Sequence, residues 1–157
     1  MKNLTYRQAN LADLNWLAET EQRCFQQGEA FSRRTMQRMI RNIDNSVIFD
    51  ILEVSRKSVG YALYLFRRKS TLLRLYSLCL LPAYQGQGLL KPYLRERMRG
   101  FAVNYKKIGL EVRVSNIRAQ HLYRALGFTT EKILAHYYPD GEDGYRLIKV
   151  LAADPRF

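Results

Sequence analysis

The chain has 157 residues, 47% of them apolar and 12% aromatic, which is one domain's length with enough apolar side chains for a core, and this excludes disordered and collagen-like chains. Its 26 Lys and Arg stand against 14 Asp and Glu, a net charge of +12 that favours anionic partners such as nucleic acid, phosphorylated cofactors or acidic substrates. With only two Cys, Cys24 and Cys79, it is neither a disulfide scaffold nor a Cys-rich zinc protein, and both thiols are expected buried and reduced. The longest apolar run, Ser77 to Ala83, is far short of the ~20 residues of a membrane span. The start, Met1 to Arg7, lacks the apolar stretch of a secretory signal, so a cytoplasmic protein is expected. No repeat or break in composition divides the chain, which reads as a single domain over residues 1–157.

In chain order, Leu4 to Arg7 predicts a strand. Asn10 is a helix N-cap, followed by Leu11, Leu14, Leu17, Ala18 and Phe25 at helical spacing, and Gly28 ends that helix. Ser32 caps a second helix that carries Met36, Met39, Ile40 and Ile43 on one face and Arg34, Arg38 and Arg41 on the other. The period then changes. Val47 to Val54, Val59 to Phe66 and Leu72 to Leu81 read as three strands of an antiparallel meander, joined by a polar turn and by the basic loop Arg67-Arg68-Lys69-Ser70. A helix with Leu90, Leu94, Met98 and Phe101 on its inner face follows, with Tyr105 in the same apolar series. Gly109 to Val114 is a strand, and Ile117 to Leu126 a short helix closed by Gly127. The strands Phe128 to Ala135 and Tyr145 to Leu151 flank the turn Pro139-Asp140-Gly141.

Between the meander and its helix lies Gln85-Gly86-Gln87-Gly88. Glycines let the backbone fold tightly there, so that free N–H groups converge at a helix start and make an anion site suited to a pyrophosphate. An ordinary strand-to-helix turn is the plain alternative. The turn is not a P-loop, since no Gly-Lys-Ser/Thr follows, and the antiparallel surroundings fit a dinucleotide fold poorly.

Three blocks add a family resemblance. Leu80-Leu81-Pro82-Ala83-Tyr84-Gln85-Gly86-Gln87-Gly88-Leu89 resembles the acetyl-CoA motif of the GNAT acyltransferases, [Q/R]-x-x-G-x-[G/A]; Gln85 and Gly88 match, and Leu90 stands where Gly or Ala is usual. Leu110-Glu111-Val112-Arg113-Val114-Ser115-Asn116, then Ala119 and Leu122-Tyr123-Arg124-Ala125-Leu126-Gly127-Phe128, are similar to the signature of the ribosomal-protein N-terminal acetyltransferase (RimI-like) branch. Tyr137-Tyr138-Pro139-Asp140-Gly141-Glu142-Asp143 resembles that branch's Y-Y-x-x-G-x-E-D turn. The blocks run from Leu78 to Leu151, and the N-terminal half, which shapes the acceptor site in this superfamily, matches in element order alone. The resemblance implies an α/β GNAT fold: about seven mostly antiparallel strands in a twisted sheet with helices on both faces, in the order β-α-α-β-β-β-α-β-α-β-β.

It also implies site residues. Acetyl-CoA, the co-substrate, would lie on Gln85, Gly86, Gln87, Gly88, Leu89 and Leu90 through its pyrophosphate and on Leu78, Cys79 and Leu80 through its pantetheine arm, with the Leu80 N–H at the reacting carbonyl oxygen. Glu111 would be the general base, acting through water, and Tyr123 the general acid for the departing sulfur; a phenol with an ordinary pKa of about 10 can protonate a thiolate. Asn116 would contact the pantetheine and cap the helix at Ile117. Read without the resemblance, Glu111 is a carboxylate paired with an arginine such as Arg113, and Tyr123 is a core aromatic on Leu126. Cys79 is not expected to be a nucleophile, because neither His121 nor His136 has a local relation to it. No metal site is expected from two His. Lys91, Arg95 and Arg99 lie on one helix face where the 3′-phosphate of CoA could sit.

The function so implied is acetyl transfer to a primary amine, most simply a protein or peptide N-terminus. Two alternatives stay open. One is acetylation of a small amine such as a polyamine or aminoglycoside, which would want an acidic groove; Glu19, Glu21, Glu29, Asp44 and Asp50 are the nearest acids. The other is a nucleic-acid- or ribosome-binding module on a vestigial acyltransferase fold, suggested by the +12 charge.

Overall fold

The computed structural model describes residues 2–25 and 31–152. One seven-stranded sheet runs through the molecule in the order β1-β2-β3-β4-β5-β7-β6. Its strands are β1 (Thr5–Gln8), β2 (Val47–Val54), β3 (Lys57–Phe66), β4 (Leu72–Leu80), β5 (Lys107–Arg113), β6 (Thr129–Leu134) and β7 (Gly144–Val150), and its helices are α1 (Leu14–Cys24), α2 (Arg33–Arg41), α3 (Leu90–Phe101) and α4 (Ile117–Ala125). The expected sequence of elements is therefore present; β2 has its expected bounds, the other boundaries move by up to four residues, and α3 ends at Phe101, before Tyr105. All pairings are antiparallel except β4 with β5.

Local chemistry explains the boundaries. Asn10 and Asp13 form a reciprocal capping box around a short 3-10 turn, so the α-helix itself starts at Leu14, later than its apolar pattern suggests. Gly28, the expected helix end, lies outside the described residues, and the described helix ends at Cys24. The Ser32 hydroxyl accepts the Thr35 N–H at 3.1 Å and caps α2 as expected. Gly127, at φ +96°, follows α4 in the left-handed conformation its position predicts.

The helices cover both faces. Leu14 and Leu17 of α1 and Met36 and Ile40 of α2 pack on Val47, Phe49, Ile51, Tyr61 and Leu63. Tyr93, Leu94, Met98 and Phe101 of α3, with Tyr123 of α4, pack on the opposite face against Leu52, Tyr64, Leu73, Ile108, Leu110 and Leu147. Alternating strand residues supply the two cores, as a sheet buried on both sides requires. The second core also contains a charged group: Asp50, 3% exposed, receives the Tyr93 hydroxyl and is gripped by Arg97 through Nε at 2.9 Å and Nη2 at 3.2 Å. That grip ties α3 to β2.

Candidate active site

The site begins where a ladder stops. The parallel pairing of β4 and β5 covers only Leu72–Arg74 against Lys107–Gly109, although β4 continues to Leu80 and β5 to Arg113. A bulge accompanies the parting: the β3–β4 register steps from Leu63↔Ser77 to Tyr64↔Leu75, leaving Tyr76 as the extra residue. The bulge also reverses side-chain parity, so that Leu73 and Leu75 before it and Leu78 and Leu80 after it all face the α3/α4 core. A cavity of about 510 Å³ opens between the strands, lined by Leu75 to Leu78 of β4, Leu110 to Arg113 of β5, and Asn116, Ala119 and Tyr123 at α4.

The open edge of β4 carries backbone donors. The Leu81 N–H is donated to the Val59 carbonyl on β3 at 2.8 Å, and N–H directions alternate along a strand. The Leu80 and Leu78 N–H groups therefore point toward the gap, as an extended amide-bearing ligand needs. Cys79 differs: it is paired with Tyr61 on β3 and its side chain joins the α1/α2 core. There it is hydrogen-bonded to Cys24, and that bond together with burial pushes its thiol pKa well up, which is unfavourable for a nucleophile. Cys24 is half-buried rather than buried, and its thiol donates to the Leu80 carbonyl at 3.5 Å.

At the glycine turn, the Gln85 and Gln87 side-chain amides donate to the carbonyls of Leu80 and Ala83, each at 2.8 Å. Both glutamines thus hold the loop shape, which leaves the backbone to meet a ligand. Gly86 and Gly88 have φ of +73° and +71°, and a Cβ at Gly88 would meet nothing within 4 Å, so the turn faces open space. The start of α3 has no side-chain cap, which frees its first N–H groups. Leu89 is buried, and the side chain of Leu90, the first residue of α3, packs on the core. Leucine therefore replaces Gly or Ala at position 90 without entering the turn. Arg118 was not singled out by the sequence: its guanidinium lies over the turn, 3.1 Å from where a Gly86 Cβ would be. Its place in the first turn of the helix capped by Asn116 was the available signal.

Glu111 projects from β5 on the α1/α2 face. Arg74 of β4 reaches its Oε2 through Nη2 at 2.8 Å and Nε at 3.0 Å, and Arg146 of β7 reaches its Oε1 at 3.3 Å. Its arginine partners are thus these two, not Arg113. Arg113 instead holds Asp140 and Glu142 at 2.9 and 2.8 Å and lies 4.1 Å over the Tyr138 ring, which pins the β6–β7 loop beside the cavity. Hydrogen bonds from Ser115 and Arg113 pull Glu142 down to about 2, so it is a poor proton acceptor near neutrality. Tyr123 faces the cavity from the other side. It is 8% exposed and packed edge-on against Phe128, and burial raises its phenol pKa, which keeps the proton on. Asn116 caps α4, accepting the Ala119 N–H at 3.1 Å, and also lines the cavity.

The carboxylates that line this cavity are Glu111, Asp140 and Glu142, and the described acids among those the sequence offered for a cationic acceptor lie elsewhere. Asp50 is locked to Arg97 on the α3 side, Glu21 is buried under the chain at Phe31, Glu19 is exposed on α1, Asp44 sits in a turn, and Glu29 lies outside the described residues. Among the described residues no three His, Cys, Asp or Glu side chains come together as metal ligands, and no helix is long and apolar enough to cross a membrane.

The parted strands and the glycine turn frame a cavity faced by Glu111 and Tyr123. Residues 12–128 match the acetyltransferase (GNAT) family, to which the chain belongs. It is 42% identical over 71 residues to an N-alpha-acetyltransferase of Sulfurisphaera tokodaii, covering 44% of this chain and 42% of that protein. The chain thus spans less than half the length of that relative. Its fold matches the ribosomal-protein-S18-alanine N-acetyltransferase of Escherichia coli at a TM-score of 0.81 and 26% identity, over 98% of both chains. A spermidine N-acetyltransferase of Vibrio cholerae, solved with CoA and spermine, shares the fold at a TM-score of 0.81 and 21% identity over 95% of this chain and 96% of that one.

Proposed function

We propose that the protein is an acetyl-CoA-dependent N-acetyltransferase acting on the α-amine of a polypeptide. The observation that carries this is the gap between β4 and β5, with the β4 donors on one side and Glu111 and Tyr123 lining the same cavity. The open turn at Gly88 and the uncapped start of α3 fit a pyrophosphate, with Arg118 beside them. Acetyl-CoA supplies an acetyl group activated as a thioester.

The chain's own groups would do the rest. The Leu80 N–H stabilises negative charge on the carbonyl oxygen. Glu111, its orientation fixed by Arg74 and Arg146, takes the ammonium proton through water. A new C–N bond forms as the C–S bond breaks; Tyr123 gives its proton to the departing sulfur, and the second proton leaving the nitrogen returns through water to the Tyr123 oxygen. The carboxylates that line the cavity, Glu111, Asp140 and Glu142, are each engaged by an arginine, which favours a peptide over a polyamine. A ribosome-held acceptor would suit the +12 charge, and the unbridged thiols suit the cytoplasm.

Incubation with acetyl-CoA and equimolar N-terminal peptides, polyamines and aminoglycosides, read by mass spectrometry, tests this reading. Acetyl addition to peptide α-amines is expected. Modification of small amines alone would overturn the acceptor class, and no product with any amine, under conditions where CoA binds, would favour a vestigial fold.

A further inference from the structure

A second, larger cavity lies on the α1/α2 face, and the proposed chemistry uses only its end at Glu111, Arg74 and Arg146. Its volume is about 960 Å³, and it reaches from α2 and the β3–β4 turn, along the paired ends of β4 and β5, to Glu111. Five cations line it: Arg38, Arg67, Arg74, Lys107 and Arg146. Glu111 and Glu131 are the acids in that wall, and Glu111 is engaged by Arg74 and Arg146. Arg38, Arg67 and Lys107 are exposed and have no ion-pair partner among the described residues. They come from three separate elements, so their convergence is a property of the fold rather than a run of sequence.

We propose that this groove selects acceptor polypeptides with acidic side chains just after the N-terminal residue. The proposal deepens the acetyltransfer reading and rests on it. An α-amine at Glu111 leaves the following residues to run back along β5 toward Lys107. Four residues at ~3.3 Å each make that path about 13 Å, so peptide positions 2 to 4 would pass Lys107, Arg67 and Arg38. Like charges along that path would repel basic peptides and polyamines, giving specificity by exclusion as well as attraction.

The test compares peptides with one common first residue and Asp/Glu, Ser/Ala or Lys/Arg at positions 2 to 4, for wild type, Arg67→Glu/Lys107→Glu and Arg38→Glu. All three replaced side chains are exposed and lie outside the transfer machinery. Acidic peptides should have the lowest KM with wild type. The double variant should raise that KM about tenfold, since each exposed pair contributes little, and should leave kcat and CoA binding near normal. The acidic preference should shrink as salt rises. Peptides acetylated without regard to charge, or basic ones preferred, would overturn the selectivity and leave the acetyltransfer reading intact. No peptide acetylated would overturn both. A short single-stranded RNA that binds more tightly than the acidic peptide, and loses binding in the double variant, would make the groove a nucleic-acid surface and overturn the proposal.

Discussion

Arg74 holds Glu111 across the point where β4 and β5 part, with its Nε 3.0 Å and its Nη2 2.8 Å from Oε2. Arg146 engages the other oxygen from β7, so the carboxylate is aimed from both flanks. A carboxylate oxygen has about two acceptor sites; Oε1 takes two Arg146 N–H groups and Oε2 one hydrogen bond from Arg74 Nε, so the room for a water is on Oε2. This geometry suits proton transfer through water better than direct contact with an amine.

Glu111→Gln removes the proton acceptor and sets an amide NH₂ against one guanidinium. Acetylation should fall most at low pH, where little acceptor is present as free amine, and less at high pH, where solvent has already deprotonated it. Rates across pH with CoA binding measured in parallel check this. An equal loss at every pH would make Glu111 a positioning residue. No loss at any pH would move the base elsewhere; Glu142 is held by Ser115 and Arg113, and Glu53 pairs with Arg7 on β1, two strands from the gap.

Tyr123→Phe deletes one hydroxyl from a buried ring whose packing on Phe128 the variant keeps. CoA affinity should stay near normal while kcat falls ~10²–10⁴-fold, the usual range for an acid–base group. Calorimetric CoA binding with steady-state rates separates the two. Wild-type turnover would leave Tyr123 a core aromatic.

Much of this architecture was legible in the sequence because it is local. Apolar spacing marks the helices, alternation marks the strands, and Ser32, Asn116 and Gly127 are caps whose chemistry works over a few residues. The two faces were legible only as a family expectation, and the bulge at Tyr76 was not, because an extra residue shows only against a partner strand. The arginine partners of Glu111 were hidden for a similar reason. Arg113 shares its strand, whereas Arg74 and Arg146 arrive from neighbours that the placement of β7 between β5 and β6 decides. The basic groove, too, is assembled from residues far apart in the chain.

Gly88→Val places a β-branched side chain at φ +71° in the space left open by the turn. CoA binding should weaken by at least about tenfold. Because backbone strain alone could weaken binding, Gly88→Asn is the companion: asparagine tolerates positive φ but still fills the space. Both variants should lose affinity if the turn meets the pyrophosphate. Loss in Val alone would trace the effect to strain, and full affinity in both would move the pyrophosphate away from this turn.

Glu21 gives a stability prediction of definite sign. It is 1% exposed on α1, its Oε2 accepts the Phe31 N–H at 2.9 Å, and its Oε1 has no hydrogen-bond partner among the described residues. Burial pushes its pKa from the ordinary 4.5 up to about 7. A raised acid pKa means that the folded chain holds this proton more tightly than the unfolded chain does. Its contribution is thus fully present below about 4.5 and is lost as pH rises through about 7, a change of about 3 kcal/mol. Glu21→Gln keeps an acceptor for Phe31 but cannot ionise. Urea unfolding at several pH values should show the variant gaining on the wild type from pH 4.5 to 7.5 and then running parallel. A constant difference across that range would show that Glu21 titrates normally in the folded protein, with solvent reaching its free oxygen.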